Sequence, residues 1–121
     1  MELIEGIDTM VIRVADIERA TRWYEAQLGL KAIWQDDAAL LVVLQTGALG
    51  SLTLWETAEE IKPAAETAAF PIFKTRNAPG AYQVLKDRGV VVGPLVEEAT
   101  LRYFRVYDPD GNILEFCEVH S

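Results

Sequence analysis

Residues 104–118, Phe-Arg-Val-Tyr-Asp-Pro-Asp-Gly-Asn-Ile-Leu-Glu-Phe-Cys-Glu, constrain the fold more than any other stretch of the chain. Pro109 presets the first dihedral of a turn, Asp108 and Asp110 can bond nearby backbone amides, and Gly111 with Asn112 tolerate the positive φ that a close reversal needs. The flanking apolar runs therefore read as two antiparallel strands joined at Asp108–Asn112. On the return strand Ile113, Glu115 and Cys117 share one face, while Leu114 and Phe116 share the other. Glu115 thus points away from the more apolar side, and a carboxylate placed there needs a reason.

The rest of the chain supplies a matching pattern twice. Ile7–Val14 alternates, with Met10, Ile12 and Val14 on one face, and predicts a half-buried strand. Asp16 caps a helix on which Ile17, Ala20, Tyr24 and Leu28 recur at helical spacing, and Gly29 stands at its left-handed end. Lys31–Gln35, Ala38–Gln45 and Ser51–Glu56 follow as strands, giving the order βαβββ. After an Ala-, Glu- and Thr-rich connector, Phe70–Arg76 reads as a strand and Asn77 caps a second helix with Pro79 in its first turn. That helix ends at Gly89. Val90–Glu97, Leu101–Tyr107 and Ile113–Val119 complete a second βαβββ, so the helix-ending glycines lie 60 residues apart, at 29 and 89.

One helix can cover only one face of its sheet. The expected architecture is α+β: two βαβββ modules, 1–57 and 70–121, joined by a connector at 58–69, form one domain with a curved eight-stranded sheet whose helix-free face is a cup. At 121 residues, half of them apolar, the chain can bury a core without disulfides or metal. Its 19 acidic against 11 basic residues, a net charge of −8, argue against nucleic-acid binding through phosphate neutralisation and would suit a cationic ligand. The single cysteine, the absence of a secretory pattern at the start of the sequence and the lack of a long apolar run predict a cytoplasmic protein without membrane contact.

With this hairpin, the two modules, and the run Val14-Ala15-Asp16-Ile17-Glu18-Arg19-Ala20 leading to Trp23-Tyr24 and Leu28-Gly29-Leu30, the chain resembles the vicinal oxygen chelate superfamily, the glyoxalase, bleomycin-resistance and extradiol-dioxygenase group. The resemblance implies a homodimer and a fold that hosts lyases, isomerases, dioxygenases and metal-free binding proteins alike. It also implies four cup-facing metal positions, which fall here at Thr9, Thr53, Phe70 and Glu115. Only Glu115 is a good ligand. A divalent transition metal needs about three or four nitrogen, sulfur or carboxylate donors, so the expectation is no metal and no cofactor. His120, the one histidine, is out of phase with Glu115 and reads as a tail residue.

Trp34, Trp55, Phe70 and Tyr103 or Phe104 are the aromatic candidates for lining the cup, where a planar ligand would stack, although aromatic residues in strands also pack against one another. Glu115, Arg13 and Arg102 are the polar candidates. Glu115 can pair with an arginine, accept a hydrogen bond from a ligand, or act as a base. The function expected is binding of a planar, preferably cationic, small molecule for sequestration or sensing. The alternatives are a lyase, isomerase or dioxygenase using Glu115, and a structural or partner-binding module. With one terminal histidine and no glycine-rich phosphate loop, the hydrolase triads and nucleotide-binding classes fall away.

Overall fold

The structure, a computed structural model, describes residues 1–120. The chain divides into two compact units, Met1–Glu60 and the part from Ile61 onward, and the division falls inside the connector. Each unit is one module with its own sheet. Among the described residues there are nine strands, in sheets of four and five, where eight strands in one continuous sheet were expected.

The first unit runs β1 (Met10–Val14), α1 (Ile17–Leu28), β2 (Lys31–Asp36), β3 (Leu41–Gln45) and β4 (Ser51–Glu56). Its sheet has the order β1-β4-β3-β2, with β1 and β4 parallel and the other pairs antiparallel. The Asp16 carboxylate accepts from the Arg19 amide at 3.1 Å to start α1, and Gly29 at φ 71° ends it. Ala20 and Tyr24 are buried where α1 packs on β2, β3 and β4, together with the sheet residues Ile12, Val14, Val42, Leu44, Leu52 and Leu54.

Two strands of this unit begin later than the alternation suggests. The first starts at Met10 rather than Ile7. The third starts at Leu41 rather than Ala38, because the Asp36 carboxylate takes the amides of Ala38 and Ala39 at 3.0 and 3.1 Å and folds them into a turn.

The second unit runs β5 (Ile72–Lys74), α2 (Ala78–Asp87), β6 (Val91–Val92), β7 (Val96–Glu97), β8 (Leu101–Tyr107) and β9 (Ile113–Val119). Its sheet has the order β5-β9-β8-β6, and β7 also pairs with β8. β5 is shorter than the expected Phe70–Arg76, since Pro71 has no N–H for the ladder and Thr75 to Asn77 already turn into the helix cap. The predicted strand Val90–Glu97 is split by Gly93-Pro94; Gly93 still donates to the Arg105 carbonyl at 2.8 Å, but Pro94 cannot continue. Phe104 is fully buried under α2, stacked on Phe116 at 5.4 Å and edge-on to Tyr82 at 5.4 Å.

Both modules use a device that the repeat did not announce. The last strand of each carries a glutamate whose carboxylate accepts the first helical N–H: Glu56 from Ile17 at 2.9 Å, and Glu118 from Ala78 at 2.8 Å. Negative charge at a helix start is favourable, so each glutamate ties its helix to the sheet at one point.

The Asp108 turn forms where expected, although Gly111 alone takes the positive φ expected of Gly111 and Asn112. Its buried carboxylate accepts from the Asp110 and Asn112 amides at 2.9 and 2.8 Å and from the Asn112 side chain at 2.9 Å, while Gly111 takes φ 81°. Among the described residues no helix is long and apolar enough to cross a membrane.

Candidate ligand-binding faces

Because α1 and α2 each cover one side of a sheet, the other side of each carries the remaining alternate residues. On the first unit, register brings Val11, Thr53, Val43 and Trp34 into one row and Arg13, Trp55 and Leu41 into the next. Trp34 is 58% exposed and Trp55 40%. The Arg13 guanidinium lies 4.2 Å from the centre of the Trp55 ring and donates to the carbonyls of Trp55 and Glu56 at 3.1 and 3.0 Å. Trp34, Trp55 and Arg13 therefore share the open face of this unit.

On the second unit Glu115 sits at the centre of the open face, flanked in register by Ile72 on β5 and Arg105 on β8. Tyr103 and Cys117 form the adjacent row. Glu115 is only 9% exposed, and among the described residues no donor meets its carboxylate. Burial pushes its pKa up, with the Arg105 charge opposing. Tyr103 donates to Glu98 at 3.3 Å, and the Glu98 charge, then burial, raises the phenol. Burial first, then Glu115 and Glu118, raises the Cys117 thiol. Phe70 lies before β5, with the Arg105 guanidinium 4.9 Å from its ring centre.

Arg102 is elsewhere. It alternates with Tyr103 and so lies on the helix-side face, paired with Glu97 at 2.9 Å and near Glu118 at 3.9 Å. The arginine beside Glu115 is Arg105, which the sequence reading passed over. A signal for it was present: the turn is centred on Asp110, so reflecting position 115 across it gives 105.

At the four positions where the resemblance implies metal ligands, the side chains do not suit a metal. Thr9 and Thr53 hydrogen-bond to each other at 2.8 Å between their hydroxyls. Phe70 offers a ring already facing a guanidinium, and Glu115 has a cation as its register neighbour. Two hydroxyls, a benzyl group and one carboxylate are not a transition-metal donor set. Among the described residues no three His, Cys, Asp or Glu side chains group to hold a metal, and His120 lies 3.3 Å from Glu118.

A cavity of about 530 Å³ lies on the other side of the first sheet, between α1 and the β2–β3 turn. Two of its acidic groups are engaged locally: Asp36 holds its own turn, and Asp37 accepts from Gln35 at 3.0 Å.

Two helix-backed sheets with open faces, each opening on a strand and a helix, define a class, and the comparisons with known proteins agree. Residues 6–116 match the family described as Glyoxalase/Bleomycin resistance protein/Dioxygenase superfamily, and the chain belongs to it. Integron cassette protein VCH_CASS1 from the mobile metagenome of V. cholerae is 30% identical, with 98% of each chain covered and a TM-score of 0.72. A member of the same superfamily from Sphaerobacter thermophilus DSM 20745 is 24% identical over 97% of this chain and 99% of its own, at TM-score 0.81. TnmS3, an antibiotic binding protein from Streptomyces sp. CB03234, is 21% identical over 98% and 99%, also at 0.81. No curated protein matches the sequence.

Proposed function

We propose that this chain is a small-molecule-binding member of the superfamily, holding a planar organic ligand on the open sheet face of its second unit with Glu115 as a polar anchor and no transition metal at Thr9, Thr53, Phe70 and Glu115. The observation that carries this reading is Glu115 itself: a residue only 9% exposed on the open face, whose carboxylate oxygens reach the surface of that face and meet no donor among the described residues. An acceptor reachable from the open face and not spent on the protein is available to a ligand that brings an N–H or O–H to it. On the first unit, taken by itself, the exposed rings of Trp34 and Trp55 offer a separate flat apolar surface of the kind that stacks on planar molecules. The fold neighbour TnmS3, described as antibiotic-binding, supports sequestration as the mode of action.

A homodimer is part of the proposal, since exposed apolar side chains such as Leu3, Ile4 and Ile7 gain from a second subunit. So is a cytoplasmic location, which suits a chain whose one cysteine is unpaired. The decisive test is elemental analysis of protein purified without chelators. The expected result is substoichiometric zinc, nickel, iron and manganese. Near-stoichiometric metal that disappears in Glu115→Ala overturns the reading.

A further inference from the structure

Arg105 and Glu115 are register partners on adjacent antiparallel strands, a placement that brings side chains within reach of each other. Yet they do not close into an ion pair. The guanidinium instead rests on the Phe70 ring at 4.9 Å and donates one N–H to the Ala65 carbonyl at 3.2 Å. Neither partner is charged, so Arg105 keeps its charge and most of its five N–H donors. Glu115 keeps its acceptor capacity. Beside Arg105, toward β6 and β7, is a cavity of about 190 Å³ bounded by Gly93, Pro94, Val96, Tyr103, Phe104 and Tyr107, roomy enough for a small fused-ring frame.

Resting on the binding role proposed above, we infer that the ligand of this face carries a hydrogen-bond donor and an oxygen acceptor side by side on a planar frame, the donor taken by Glu115 and the oxygen by Arg105. Charge decides against the simpler choices. A plain cation, the expectation from the net charge of −8, would meet the guanidinium; a plain anion would meet the carboxylate. A neutral or zwitterionic pair satisfies both at once, and a planar group suits the fork geometry of arginine. Primary carboxamides are the simplest members of this class.

The test compares three fluorescent probes with one ring system: 2-naphthamide, 2-naphthoate and 2-naphthylmethylammonium. Titrations use the full-length protein at neutral pH. The amide should bind about tenfold or more tighter than either ion, as expected for one extra charge-assisted hydrogen bond. Arg105→Met should weaken the amide about ten- to a hundredfold and improve the cation, while Glu115→Gln should improve the anion. Arg105→Lys, which keeps the charge without the fork, serves if the methionine variant fails to fold; it should also weaken the amide while leaving the cation weak.

If the cation binds tightest to the native protein, with an affinity lost in Glu115→Gln and unchanged on substituting Arg105, the two-point inference falls and the binding role stands. If none of the three probes saturates the native protein at millimolar concentration, this face is not a site for planar ligands, and both fall.

Discussion

Removing the Asp108 carboxylate tests whether the turn holds the site in register. In Asp108→Ala, the Asp110 and Asn112 amides and the Asn112 side chain lose an acceptor now at 2.9, 2.8 and 2.9 Å. Hydrogen bonds to a charged group contribute about 1.5–3 kcal/mol each when buried. Asp108 is buried, but Asp110 and Asn112 are only half-buried, so water recovers part of the loss and a total of about 2–4 kcal/mol is expected. For a chain of this size that corresponds to a fall in Tm of roughly 8–16 °C.

Asp108→Asn keeps an acceptor oxygen without the charge and should cost about 1 kcal/mol. Urea unfolding followed by far-UV circular dichroism measures both. Tryptophan fluorescence gives a control, because Trp23, Trp34 and Trp55 all lie in the first unit while Asp108 lies in the second. Amide exchange along β8 and β9 reads the register. An Asp108→Ala protein within about 0.5 kcal/mol of the native one would refute the reasoning, since surface changes without consequence fall in that range.

Three further outcomes are expected. The pKa of Glu115 is raised in the folded state, so its carboxyl is tolerated best below the ordinary glutamate value of 4.5, and stability is lost as pH rises from there through the folded pKa. Glu115→Gln should therefore gain on the native protein in denaturation midpoint as pH goes from 4 to 8; a gap that stays constant or narrows would contradict this. Phe104→Ala removes a fully buried ring stacked between Phe116 and Tyr82 and should cost about 3–5 kcal/mol by chemical denaturation. Glu56→Ala and Glu118→Ala each leave a first helical N–H without its carboxylate and should cost about 1 kcal/mol apiece, with faster amide exchange in the first turns of α1 and α2 respectively.

What the sequence determined by itself is whatever depends on neighbours a few residues apart. Asp16 and Asn77 cap helices because a short polar side chain reaches an amide three residues on, and Gly29, Gly89 and Gly111 mark left-handed positions because they have no Cβ. The strands at Leu101–Tyr107 and Ile113–Val119, and the face on which Glu115 lies, follow from alternation and one turn. The likeness of the two halves was legible for the same reason.

Contacts between distant residues were decided only by the tertiary structure. Glu56 and Glu118 reach helix starts 39 and 40 residues away. Arg102 went to the helix side and Arg105 to the side of Glu115 because alternation on β8 separates adjacent residues, and the turn sets which of them crosses to meet 115. That Arg105 then leans on Phe70 and leaves Glu115 without a donor depends on how the segment before β5 packs, a balance of aromatic contact, desolvation and charge that no local pattern encodes.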